Sequence, residues 1–240
     1  MSTLSFDVIS EVIQHLDINL STDISTLRAL STTCHALLEP SQRALFSRIL
    51  IILSTSTTPA PNRAYIALHD LLLNTSPHLA SYPRHLDITF NLPHPGAQIV
   101  INLLVKIASM ASIQTLRLCD TSQSDCNEES FTFASMVLEI LPPQHPLLEL
   151  RLVGYGILPS SIFDLPVLEE LSAIDVGEWR IGNSLFDPID TLLINLKTLA
   201  VTSLPWVNPG KRMGDFLWVS PHVTRLELEF PFGRGQLFSI

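Results

Sequence analysis

Charge is scarce in these 240 residues. Lys, Arg, Asp and Glu make up 15% of the chain, against 46% hydrophobic residues, and mean hydropathy is +0.32. That much apolar side chain can support ordering, which excludes disorder along the whole length, and the length allows one sizeable core or a small head on a larger body. Long apolar runs are missing. The longest, Ile49–Leu53, is far below the roughly 20 residues of a spanning helix, and Ile99–Ile113 is interrupted by Asn102, Lys106, Ser109 and Ser112. The N-terminus lacks the basic, apolar and cleavage regions of a signal peptide. Three cysteines, Cys34, Cys119 and Cys126, are too few for a disulfide scaffold and fit a reducing compartment. The fourteen basic residues are scattered on a chain of net charge −9, which excludes a general nucleic-acid surface. The expectation is a cytoplasmic and/or nuclear protein with no membrane and no nucleic-acid partner.

Catalytic constellations are also missing. The eight histidines form no His-x-x-x-His pair, and there is no Cys-x-x-Cys, so three or four converging zinc ligands are not expected. His69-Asp70 and Cys34-His35 are neighbours in sequence, but adjacent residues on one helix point to different sides. Gly154-Tyr155-Gly156 and Gly233-Arg234-Gly235 lack the further glycine and the lysine of phosphate loops and read as turns. No catalytic residue, metal or cofactor is expected.

What is present is patterned. Phe6, Ile9, Val12, Ile13 and Leu16 recur at spacings of three and four and mark a helix, with Ser5 as its cap. Leu27, Leu30, Cys34, Leu37 and Leu38 mark a second, capped by Asp23. Pro40 is expected to interrupt it, and Ser41–Ile49 reads as another helix with Leu45, Phe46 and Ile49 inside. Ser54–Pro61 reads as a loop and Arg63–Asn74 as a helix burying Ile66, Leu68, Leu71 and Leu72. From residue 84 the period changes to two. Leu86-Asp87-Ile88, Leu116-Arg117-Leu118, Leu150-Arg151-Leu152, Leu171-Ser172-Ala173, Leu199-Ala200-Val201 and Leu226-Glu227-Leu228 each put two apolar residues on one side of a strand. Between them lie helical or irregular segments over Ala97–Met110, Phe131–Leu141, Ser161–Leu165, Leu185–Asn195 and Phe216–Val219. Several strands are prepared by Leu-x-x-Leu, as in Leu147 and Leu150, Leu168 and Leu171, Leu196 and Leu199. This is the cadence of leucine-rich repeats, about six strand-plus-return units, with some steps longer than the usual ~20–29 residues. The competing architecture is an α/β sandwich whose parallel strands are rich in leucine. Pro231–Ile240 holds no clear polar cap, so the last strand is expected to leave an open edge, as in a truncated product or one covered by a partner or a second copy.

The first fifty residues resemble an F-box, in the divergent form of the large fungal, basidiomycete-type family. The opening is carried by Leu4-Ser5-Phe6-Asp7-Val8-Ile9, then Glu11-Val12-Ile13 and Leu16, and the continuation by Asp23 to Leu30 and Cys34-His35. The close is carried by Pro40 and Leu45-Phe46. Ser5 stands where the family usually has proline, and Leu45-Phe46 stand where many members carry tryptophan. The segment that follows is similar to those relatives in His69–Leu73 and in Ser76 to Leu79.

The resemblance implies an α/β chain in three parts: an all-helical F-box-like head over 1–50, a linker loop and helix over 51–83, and a leucine-rich-repeat-like solenoid over 84–240. It implies a non-catalytic substrate adaptor of a cullin-type ubiquitin ligase, in the Ubl conjugation pathway. The head would bind a Skp1-like adaptor through Leu4, Val8, Val12, Leu16, Leu30 and Leu37, each of which could instead be ordinary core. The repeats would bind an unknown protein substrate on their outward face. Arg117, Arg151 and Arg225 recur there as a possible basic stripe for an acidic or phosphorylated peptide, or as solvated residues each paired with a carboxylate. Trp179 is placed beyond a strand where substrate loops would emerge. The alternatives are a leucine-rich-repeat binding module with a vestigial F-box, and an enzyme on an α/β fold.

Overall fold

A computed structural model of the chain describes residues 11–13, 16, 20–53, 61–121, 128–140, 146–154, 162, 165, 167–174, 195–202, 222–229 and 236–239. Two helices lead. Helix α1 spans Ser21–Thr33 and α2 spans His35–Leu45. The break falls at Cys34, ahead of Pro40, which lies inside α2. The run Ser31-Thr32-Thr33 precedes the break, and its hydroxyls donate to the carbonyl oxygens of Arg28 and Ala29, the local bonding by which Ser and Thr weaken a helix. Asp23 is not the cap: it sits in the first turn, where its charge still favours the helix dipole. Ser5 lies outside the described residues.

The helix expected over Ser41–Ile49 ends at Leu45. After Phe46 and Ser47 the chain becomes a strand, β1, Arg48–Leu53. The side chains of Ile49, Ile51 and Leu53 are buried while Arg48, Leu50 and Ile52 face out, a period of two rather than 3.6. Helix α3, Pro61–Asp70, runs into a π-helical turn, Leu71–Thr75, and a short 3-10 turn, Pro77–Ser81. Leu72 is buried and Leu68 and Leu71 partly so, whereas Ile66 is exposed; Tyr65 fills the position inside. Then follow β2 His85–Phe90, α4 Ala97–Met110, β3 Thr115–Asp120, α5 Glu128–Ile140 and β4 Glu149–Val153. Strands β5 Glu170–Ile174, β6 Thr198–Thr202, β7 Arg225–Glu229 and β8 Gln236–Ser239 complete the order.

These described strands form one eight-stranded sheet in chain order. Neighbours from β1 to β7 are parallel, and β8 returns antiparallel along the edge of β7 that was expected to be open. The order never reverses, so the switch point of a doubly wound sheet is absent from it. The six strands expected from the leucine cadence all form. The sheet starts earlier, at Arg48 rather than at 84, and includes β8.

Register explains why leucine dominates. Ile49, Leu86, Leu116, Leu150, Leu171, Leu199 and Leu226 lie side by side across seven strands, and all are buried. A second inward row begins with Ile51, Ile88, Leu118 and Leu152. Ile113, Leu147, Leu168 and Leu196, each three residues ahead of a strand leucine, are buried as well, so Leu-x-x-Leu marks a core turn. Helix α4 covers these rows with Val100, Leu103, Leu104 and Ile107, and α5 with Phe133, Ala134, Val137 and Leu138, at the three-four spacing of one helix face.

Strands β2 to β7 start from the same junction. The carbonyl of Ser47 accepts from the N–H groups of Arg84 and His85. Arg84 does the same for Gln114 and Thr115, Gln114 for Leu148 and Glu149, Leu148 for Glu169 and Glu170, Glu169 for Lys197 and Thr198, and Lys197 for Thr224 and Arg225. One acceptor thus serves two donors of the next unit, six times over.

Gly154, just past β4, has φ +79, and a Cβ built there would lie 2.2 Å from the backbone oxygen of Asp120. Backbone cannot swing aside as a side chain can. Gly154→Ala is expected to cost about 2–3 kcal/mol from left-handed strain and collision together, read as a lower urea midpoint with unchanged m-value.

Candidate functional site: the head and the outward sheet face

The head has a core of its own. Ile13, Leu27 and Leu37 are buried together, with Leu16, Leu30, Ala44 and Leu45 partly buried against them. Of the residues expected to meet an adaptor, Leu37 is therefore an internal support. Leu16 and Leu30 lie at the core's margin and keep part of their surface. Val12 is 56% exposed. Leu20, which periodicity did not single out, is exposed too, at the N-cap of α1. Leu4 and Val8 lie outside the described residues. The head joins the sheet closely: Phe46 packs against the main core, the Ser47 carbonyl starts the junction series, and the Arg43 guanidinium sits 5.7 Å from the centre of the Tyr82 ring.

The outward face of the sheet has three rows. The first holds Arg48, His85, Thr115, Glu149, Glu170, Thr198 and Arg225; the second holds Leu50, Asp87, Arg117, Arg151, Ser172, Ala200 and Glu227. The third begins Ile52, Thr89, Cys119, Val153. Arg117 and Arg151 are direct neighbours in the second row, whereas Arg225 belongs to the first row and lies three strands further on. The three do not form one continuous stripe, and each has a carboxylate partner: Arg117 with Asp87 at 3.4 Å, Arg151 with Glu149, Arg225 with Glu227. Trp179 lies outside the described residues.

Asp87 is the unusual member. Its side chain is 8% exposed although it points from the outward face. Oδ2 accepts from Arg48 at 3.2 Å on one neighbouring strand and from Arg117 at 3.4 Å on the other, while Oδ1 is buried with no hydrogen-bond partner. One carboxylate serves two guanidiniums, whose alkyl stems help to shield it from water.

Partial desolvation of its ring by the neighbouring strands and, next, the positive charge of Arg48 hold the exposed His85 below the ordinary histidine range, with Glu149 opposing. A lowered value in the folded state means that the unfolded chain takes up the proton first on acidification, so stability falls as pH drops below about 6.5 towards the folded value. His85→Gln is expected to flatten that part of the pH–stability curve, measured as urea midpoints between pH 7.5 and 5.

Sequence reasoning missed Leu50 and Ile52, which stand exposed in the second and third rows of β1. The apolar run Ile49–Leu53 was their signal. Among the described residues, no group of three or more His, Cys, Asp or Glu is placed to hold a metal ion, and no helix is long and apolar enough to cross a membrane. No family model matches the chain, and no curated protein matches it.

Proposed function

We propose that the chain is the non-catalytic substrate-recognition subunit of a Skp1–cullin–F-box type ubiquitin ligase. The F-box-like head takes a Skp1-like adaptor, and a leucine-rich-repeat-like solenoid holds a protein substrate. The observation that carries the reading is a helical head with a closed core and apolar side chains left over. Val12 and Leu20 are exposed, and Leu16 and Leu30 half-covered, beside a core already formed by Ile13, Leu27 and Leu37. Support for the second part comes from the in-order parallel sheet and its single-file leucine rows, the arrangement in which repeats stack on one another. On this reading the protein adds no chemistry. It raises the effective concentration of a tethered target near the charged ubiquitin carrier.

Co-purification of the full chain with a Skp1-like adaptor tests it. Wild type is expected to retain the adaptor, and Val12→Asp to lower retention at least about tenfold, the effect of burying an unpaired charge in an apolar contact. Val12 is already solvent-exposed, so its variant should keep the wild-type circular dichroism spectrum. Leu16→Asp and Leu30→Asp should lose binding too, at some cost in stability. A wild-type chain that retains no adaptor would sink the ligase reading and leave a repeat-type binding module with a repurposed head.

A further inference from the structure

We infer that the outward face of β1 to β4 binds an extended acidic peptide, one that carries an aliphatic residue four positions from an aspartate or glutamate. The inference rests on reading the sheet as a protein-binding module and names the class of sequence it takes.

The surface is divided. On β1, Leu50 is 58% and Ile52 43% exposed, at positions where a solvated sheet face normally carries polar residues. The third row continues from Ile52 through Thr89, Cys119 and Val153, all uncharged. The second row turns cationic beyond Asp87, at Arg117 and then Arg151. In the outward rows of these four strands, Arg48, Arg117 and Arg151 face two carboxylates, Asp87 and Glu149; the third carboxylate of these strands, Asp120, ends β3 in the buried register of Phe90. His85 is held towards its neutral form. A positive surplus remains, on a chain whose net charge is −9. Further along, the outward positions include Glu170 and Glu227, so the positive end is confined to the first four strands.

Both arginine side chains are about half exposed, and each guanidinium has more donors than its one carboxylate partner uses. A carboxylate placed between Arg117 and Arg151 would make charge-assisted bonds to both, and a planar fork suits it better than an ammonium would. The spacing sets the motif. Strands lie about 4.8 Å apart, so β3 and β4 stand roughly 10–14 Å from β1. An extended chain covers about 3.3 Å per residue and alternates its side chains, so a separation of four residues bridges about 13 Å and keeps both side chains on the sheet side. The aliphatic side chain would cover Leu50 and Ile52, and the carboxylate would reach the arginine pair.

A randomised peptide library displayed on phage, selected on the immobilised full chain, provides the test. Enriched sequences should pair an aliphatic residue with Asp or Glu at that separation. A synthetic peptide of the enriched sequence should bind more weakly as salt rises. Arg151→Glu and, separately, Leu50→Ser with Ile52→Ser should each weaken that peptide at least tenfold. All three side chains are exposed, and unchanged thermal melts will show that the variants fold. No enrichment, enrichment of basic or uncharged sequences, or a peptide indifferent to both variants overturns the inference. Adaptor retention, measured on the same preparations, separates the two failures: a peptide bound without the adaptor removes the ligase and leaves this surface standing, and the reverse removes the surface alone.

Discussion

Phe90→Ala will remove about 3–5 kcal/mol of stability, enough to unfold a large fraction of a marginally stable chain. Phe90 is fully buried at the end of β2 and heads the fully buried side chains by volume. Its ring meets Phe133 of α5 edge-on, with centroids 4.8 Å apart, so the substitution opens a cavity between the sheet and the return helix and removes an aromatic pair as well. Collapse around the void is restricted, because β2 is hydrogen-bonded on both sides, to β1 and β3. Chemical denaturation monitored by circular dichroism will measure the loss. A cost below about 1 kcal/mol would mean that α5 does not pack on the sheet as described. Phe133→Ala should cost nearly as much, and the double variant less than the sum, since the two rings share one contact.

The second large effect belongs to Asp87. Either Arg48→Ala or Arg117→Ala alone should be tolerated, because the remaining guanidinium still neutralises the carboxylate. Removing both leaves a nearly buried charge without a cation. The double variant should lose about 2–3 kcal/mol more than the two single losses combined. That is less than the ~3–5 kcal/mol for breaking a fully buried pair, since both arginines are themselves partly solvated and screened. Adding Asp87→Leu to the double variant should recover most of that loss, as an apolar residue has no charge to strand and Leu50 already stands in the same row. Thermal melts of wild type and these four variants will decide. Simple additivity of the two arginine variants would show that Asp87 does not depend on either cation.

How far the sequence was legible depended on the kind of signal. The six strands announced by Leu86, Leu116, Leu150, Leu171, Leu199 and Leu226 formed because leucine at those positions serves two constraints at once, strand alternation and the shared inward row. The bounds of Ala97–Met110 were legible, as a segment that reads as helical or irregular; the structure makes it a helix with six buried residues, Val100, Ile101, Leu103, Leu104, Ile107 and Ala108. β1 was not legible, because in Arg48–Leu53 both faces are aliphatic and alternation cannot be seen. β8 was not, because its partner is reached by an antiparallel return that needs no Leu-x-x-Leu turn. The candidate site was less legible than the fold. Burial separates Leu37, inside the head's core, from Val12, outside it, yet both are apolar residues on a helical period. Likewise, nothing in the identity of Arg225 tells that it sits one row away from Arg117 and Arg151; only strand register does.

The repeated junction, one carbonyl accepting from two successive amides of the next unit, makes the protein modular in a practical sense. The closure is the same whether the chain returns over the long stretch from Gln114 to Leu148 or the short one from Leu148 to Glu169. Return length is thereby uncoupled from the stacking of rows. A segment running from one junction residue to the next has the same closure at both ends, so its exchange for one of different length is expected to leave the strands on either side in alignment, provided that contacts between segments, such as Phe90 against Phe133, are carried over. The outward face could thus be lengthened or shortened one row position at a time.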